Sequence, residues 1–418
     1  MKMAMIKYLP YLFTIATFCL DMSAAKVVID DITYETLSVK DKTATVYVEN
    51  GSKAQLVSAH ILESVEIDCE QYTITTIKES GFRNCGKLKD IVLPPSLKII
   101  EGGAFISCSE ITEIVFPDKL EKIGLNAFSF CSGISEIVIP DNCHVIEGHA
   151  FSACYSLKSI RLPREMESLS FGLFGLCSAL EKIEMPTSLK TIESSAFAWC
   201  NTLGEITIPQ DTENIQDGAF IGCVSLTTFN VDENNPYYCS QEGMLLSKDK
   251  STLFSYTIGY KFKVPEYVSV IKNEAFSYST LYEITLPPTV KKLGCTTFSD
   301  CEKLCYIYCE SLTPPEVIGR EWFFIIDSGE LPSNATVYVP AESLQLYEEA
   351  YGWRNTRLKP KKGLGVDEIH SSNSGAYLTV YTLDGTLVLT TTEREQIQSL
   401  PKGIYIVRSG DKTEKIIL

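Results

Sequence analysis

Histidine is scarce in this 418-residue chain: His60, His144, His149 and His370 are the only four. His144 and His149 straddle one turn, and neither has a register-matched Cys or Asp to complete a ligand cluster, so they read as surface or turn residues. Gly-x-Ser-x-Gly, His-Glu-x-x-His and phosphate-cradling glycine loops are missing, which removes the usual signatures of hydrolases, zinc proteases and nucleotide enzymes. Carboxylates are plentiful but form no isolated acid/base pair. The expectation is no enzyme, no cofactor and no metal. Positive charge is also short: 37 Lys and Arg against 53 Asp and Glu leave a net charge of −16. That balance repels a duplex or an anionic membrane surface and excludes nucleic acid as a partner. Beyond the N-terminus no run reaches the roughly 20 apolar residues of a spanning helix, so no transmembrane segment is expected.

The N-terminus carries an export pattern. Lys2 and Lys7 precede an apolar stretch from Tyr8 to Leu20, and Ser23-Ala24-Ala25 offers small residues for cleavage before Lys26. This reads as a signal peptide over 1–25. Cys19 suggests lipid attachment, but Phe18 stands where a small residue is needed. The expected location is extracellular, or the bacterial outer cell surface.

What is abundant is repetition. Phe82, Phe105, Phe128, Phe151, Phe174, Phe197 and Phe220 stand 23 residues apart without a slip, and Cys85, Cys108, Cys131, Cys154, Cys177, Cys200 and Cys223 follow in the same register. A strict period of this kind is the mark of a solenoid, in which each coil contacts only its neighbours. Each unit places Phe and Cys on a tight helical or 3₁₀ turn, then a strand stopped by proline, then a second short strand. Fifteen cysteines in an exported chain suggest disulfides, yet seven members of one column cannot all pair. A buried ladder of free thiols is expected instead. Cys301, Cys305 and Cys309 lack the converging fourth ligand that zinc takes.

The pattern Ala-Phe-x-x-Cys-x-x-Leu-x-x-Ile-x-Ile-Pro resembles the repeat of the BspA-like (type 5) bacterial leucine-rich repeat proteins. It stands here as Ala104, Phe105, Cys108, Ile111, Ile114, Phe116 and Pro117, and as Ala196, Phe197, Cys200, Leu203, Ile206, Ile208 and Pro209. The expected fold is mainly β: a leucine-rich repeat solenoid of 23-residue coils over 77–312, with an elaborated coil at 230–270. An N-terminal β cap is expected over 26–76, a C-terminal cap over 313–362 and a linker over 363–375. Residues 376–418, around the hairpin signal Asp384-Gly385, resemble the C-terminal sorting domain of type IX secretion and imply a small β-sandwich. The resemblance implies a non-catalytic protein that adheres to extracellular proteins, whether host matrix or partner bacteria. Glycan capture in a surface uptake system and a structural envelope role are the alternatives.

Side chains alternate along each strand, so outward positions form columns. The first three coils show Asp90, Glu113 and Glu136 beside Val92, Val115 and Val138. Stacked acids repel and exposed apolar rows invite partners, which suits a basic, partly apolar peptide. The same pattern also fits a solvated face whose valines serve strand propensity. A second candidate is aromatic: Tyr306, Tyr308 and Tyr338 on the same face, with Trp322, Phe323 and Phe324 in a nearby loop, suit sugars or protein hot spots. Packing of the C-terminal cap would account for them equally.

Overall fold

The computed structural model describes residues 24–50, 53–256, 259–318 and 335–361, and in the C-terminal region 378–382, 387–391, 397, 400–401, 404–409 and 412–417. Most of the expected signal segment, the linker, the Asp384-Gly385 hairpin and Trp322, Phe323 and Phe324 lie outside the described residues. The chain divides into two compact units, Met1–Lys359 and Pro360–Leu418.

The first unit is a stack of coils, most with two short parallel strands. One strand column runs through Glu70–Ile77, Ile99–Ile100, Lys122–Ile123 and Val145–Ile146, and resumes at Ser168–Leu169, Thr191–Ile192 and Asn214–Ile215. The other contains Glu136–Val138, Ser159–Arg161 and Lys182–Glu184, paired in register so that Glu136, Ser159 and Lys182 are neighbours, as are Val138, Arg161 and Glu184. Parallel stacking starts earlier than the repeat: Ser58–His60 already pairs with Asp90–Val92. One coil departs from the pattern. Residues 113–115 form no strand and pair with neither neighbour, although Ile114 is buried as the repeat requires.

The Phe column explains the period. From Phe82 to Phe220 successive rings stack with centroids 5.0 to 6.3 Å apart. A phenylalanine buried in this way contributes about 1.5–3 kcal/mol. The turns carrying these rings are not helical. Their bonds span three residues, as in Ile106 N–H to Gly103 O and Cys108 N–H to Phe105 O. Left-handed residues, such as Gly103 (φ 61°) and Ser107 (φ 60°), interrupt every such turn and stop a helix from propagating. Turns of successive coils bond directly, as from Phe105 N–H to Ala127 O at 2.7 Å.

From Cys108 to Cys223 each thiol of the column has a fixed partner. Cys131 Sγ donates to Phe105 O of the preceding coil at 3.1 Å, and Cys108, Cys177 and Cys223 repeat the bond at 3.1, 3.1 and 2.9 Å. All cysteines among the described residues are free. The strand-ending prolines open turns: Pro94 O accepts Leu97 N–H at 3.1 Å and Pro186 O accepts Leu189 N–H at 3.2 Å.

The elaborated coil replaces a repeat with antiparallel strands Tyr238–Gln241, Met244–Ser247 and Thr252–Ser255. Glu242 and Gly243 both adopt positive φ, as a two-residue hairpin turn demands. Asn235, fully buried, holds its start. Its Nδ2 donates to Pro209 O and Thr212 O, and its Oδ1 accepts from Tyr237 N–H and Tyr238 N–H. Toward the C-terminal end, Thr336–Pro340 and the helix Leu344–Glu349 close over the last coils. Tyr347 and Trp353 are fully buried there and donate to Ser311 O and Pro315 O, both at 2.9 Å.

The described part of the second unit is one four-stranded antiparallel sheet, in the order Leu387–Thr391, Leu378–Thr382, Ile404–Ser409, Lys412–Ile417. Val380, Ile397, Tyr405 and Val407 form its core. The second layer of the expected sandwich is not among the described residues.

Candidate binding face

The alternation along each main strand settles which side chains face water. Asp90, Glu113 and Glu136 are exposed, and Val92, Val115 and Val138 are 51%, 72% and 59% exposed, while Ile114 and Ile137 between them are buried. The face is not one continuous sheet. Asp90–Val92 belongs to a two-stranded sheet and Glu136–Val138 to a three-stranded one. The unpaired residues Glu113 and Val115 lie between them.

The acids of this face contrast with several of the other strand column. Three acids of that column pair across coils: Glu121 with Lys98 at 2.8 Å, Glu147 with Lys122 at 2.6 Å, Glu167 with Lys190 at 2.7 Å. Asp90, Glu113 and Glu136 take part in no ion pair among the described residues. The valine row ends at Arg161, which follows Val138 in register. Arg161 Nη2 donates to both carboxylate oxygens of Asp141 at 2.9 and 3.1 Å, and Nη1 to Ile139 O at 3.2 Å. A cleft of about 390 Å³ opens beside it, with Phe116, Val138 and Pro140 as apolar lining and Asp118 and Asp141 as acids.

The aromatic candidates lie further along the same column. Tyr306, Tyr308 and Tyr338 come together on strands Tyr306–Cys309 and Thr336–Pro340, with Tyr308 and Tyr338 stacked at 5.1 Å and 13°. Two tyrosines join them that the column pattern missed: Tyr260 stacks on Tyr282 at 4.8 Å and 2°, and Tyr282 meets Tyr306 edge-on at 5.4 Å. Tyr260 escaped because it sits in the elaborated coil. Tyr282 escaped because it precedes its strand by one residue; the aromatic spacing of 22 and 24 residues from Tyr260 through Tyr282 to Tyr306 was the available signal. A hydrogen bond to Tyr306 helps push the Tyr282 hydroxyl up to about 12, with burial as the next cause. Within each stacked pair, one face of each ring is covered by the other.

The cysteines at 301, 305 and 309 do not converge. Cys301 Sγ donates to Phe276 O at 3.0 Å, and Cys309 Sγ contacts Tyr347 Oη at 3.1 Å. Among the described residues no group of three His, Cys, Asp or Glu could hold a metal ion, and no helix is long and apolar enough to cross a membrane.

The profile of the BspA type leucine rich repeat region matches residues 58–179, 123–241 and 250–334, more than half of the chain. The chain belongs to this family. The BspA-type assignment agrees with a solved leucine-rich cell surface protein from Faecalibacterium prausnitzii A2-165, which is 21% identical at a TM-score of 0.61 and covers 82% of this chain and 96% of its own. That likeness establishes the shared fold. A leucine-rich repeat protein from Bacteroides ovatus (21% identical, TM-score 0.44, 80% and 100% covered) and the pneumococcal vaccine antigen PcpA (20%, 0.47, 82% and 100%) are further matches. No curated protein matches the sequence.

Proposed function

We propose that this BspA-type protein is an exported, surface-displayed and non-catalytic scaffold that binds extracellular proteins through the face holding Asp90, Val92, Glu113, Val115, Glu136 and Val138. The observation that carries the reading is the three acids without ion-pair partners among the described residues beside three exposed valines. Unpaired carboxylates next to apolar side chains match a segment in which Lys or Arg alternates with aliphatic residues. The cleft at Val138 and Phe116 gives an apolar anchor a place to seat. Membership of a repeat family whose solved relatives include a cell surface protein supports display outside the cell. The expected leader over 1–25 supports export. The sheet at 378–417 is consistent with a sorting module, and the mass of the mature C-terminus checks that role.

The test is a pull-down of extracellular matrix and neighbouring bacteria with the purified solenoid, repeated with Glu113, Val115, Glu136 and Val138 replaced. Loss of protein capture, with sensitivity to salt, supports the reading. Glycan capture is favoured by the five-tyrosine cluster, and replacement of Tyr306 and Tyr308 should then abolish sugar binding and spare protein binding. Unchanged binding in both variants leaves the structural envelope role.

A further inference from the structure

The acid and valine columns are as informative in their spacing as in their chemistry. Asp90, Glu113 and Glu136 belong to the coils of Phe82, Phe105 and Phe128, whose ring centroids stand 5.2 and 5.0 Å apart. Both columns repeat at about this step along the stack, close to the strand spacing of a sheet. The coil without a strand at 113–115 keeps the step, since Phe105 stands almost midway between Phe82 and Phe128. In each coil the acid and the valine are two residues apart and share a face, so the two columns run side by side.

The pattern lasts three coils and then reverses. In register after Glu136 come Ser159 and Lys182, and after Val138 come Arg161 and Glu184. A ligand that sets cations on one column and aliphatic groups on the other therefore fits the first three coils only. Further along, its cations meet Lys182 and its aliphatic groups meet Arg161.

Backbone geometry decides which peptide conformation follows both columns at once. On an extended strand laid along the stack, same-face side chains recur every ~6.6–6.8 Å, so by the third coil the ligand has run ahead by roughly 3 Å. Polyproline II repeats a face only every ~9 Å and skips the middle coil. An α-helix repeats a face once per turn, about 5.4 Å, and stays within ~1 Å of the acids across all three coils. Its residues i, i+4 and i+7 form one stripe, and i+1, i+5 and i+8 form a second about 100° round the helix.

Taking this face as protein-binding, we infer that the partner's contacting segment is an amphipathic helix lying along the solenoid. Lys or Arg of one stripe sits on Asp90, Glu113 and Glu136, and aliphatic residues of the next sit on Val92, Val115 and Val138. The cleft lined by Phe116, Val138 and Pro140 lies at the third valine and takes a larger apolar residue at that end of the stripe. The net charge of −16 draws a basic helix in, and the period of the columns then selects it over an extended segment.

The probes are three labelled peptides of about 15 residues, identical in composition. The first carries Lys at i, i+4 and i+7 with Leu at i+1, i+5 and i+8. The second alternates Lys and Leu, as an extended ligand would. The third puts Lys and Leu on opposite faces of a helix. In anisotropy titrations with the full chain, the first should bind at least tenfold tighter than either of the others. It should also gain helical circular dichroism on binding, because a peptide of this length is marginally helical alone. Glu113→Gln with Glu136→Gln should weaken it at least tenfold. Glu213→Gln with Glu233→Gln, the same charge change at exposed sites elsewhere, should not, and both double variants should keep the parent unfolding midpoint. Tighter binding of the alternating peptide, or equal binding of all three, overturns the helical ligand and leaves a protein-binding face. So does binding of none of them while replacement of the face still abolishes protein capture, or binding of the first that ignores Glu113→Gln and Glu136→Gln. Protein capture that survives replacement of the face overturns both.

Discussion

The thiol of Cys131 donates to the carbonyl oxygen of Phe105, 3.1 Å away in the preceding coil. That carbonyl also accepts Cys108 N–H within its own turn, so one oxygen closes a turn and joins two coils. Burial pushes the Cys131, Cys177 and Cys223 thiols up to about 12. Thiolate is the reactive form, so these cysteines should resist alkylation at neutral pH until the solenoid opens. Cys69, which is exposed, should label in the native state. Peptide mass mapping after a timed iodoacetamide pulse checks this. Rapid native labelling of Cys131 would contradict the ladder.

Phe151 lies fully buried in mid-stack, 5.6 Å from Phe128 and 6.3 Å from Phe174. Phe151→Ala should cost about 3–5 kcal/mol by leaving a cavity. Repeat arrays are coupled mainly through nearest neighbours, so the urea transition should broaden as well as shift. A cost below 1 kcal/mol, measured by denaturant titration, would mean the stack is not the core.

Asn235 satisfies four backbone groups with one side chain. Asn235→Ala leaves buried donors and acceptors open and should cost about 1–3 kcal/mol. The loss should be local. Hydrogen exchange at the Tyr237 and Tyr238 amides should rise well before exchange at Phe105.

Two neighbours in one coil make stability depend on pH. Burial holds the His149 imidazole below its usual 6.5. The unfolded chain therefore binds that proton first, and the stability His149 contributes is complete above pH 6.5 and lost as pH falls below it. Glu147 is held below 4.5 mainly by its hydrogen bond to Lys122, and its contribution is lost at lower pH as its folded-state titration is crossed. Thermal midpoints should fall in two stages on acidification. His149→Asn, which keeps a side chain tolerant of positive φ, should remove the first stage only.

The Phe and Cys periods made the solenoid legible because each repeated side chain fills the same inward site in every coil, so sequence register becomes spatial register. Proline marked strand ends for an equally local reason: it cannot donate to the ladder. The gap at Glu113–Val115 was hidden. The triplet Glu-Ile-Val occurs at both 113–115 and 136–138, yet only the second pairs, and nothing in the local sequence separates them. The candidate face was legible as alternation, and its lack of ion pairs was not, since partners come from neighbouring coils. The tight turns were expected to be helical or 3₁₀. The left-handed residues that prevent a helix were masked where Phe130, Leu176 and Trp199 replace the glycine, asparagine or serine that would announce them.

The missing strand at 113–115 has a mechanical consequence. On that wall main-chain bonds are missing on both sides of this coil, and again between Lys182–Glu184 and Glu205–Ile208. Load applied along the solenoid should concentrate at these unriveted seams, and a stretched solenoid should tear open beside Glu113 or Glu184 before the paired joints give way.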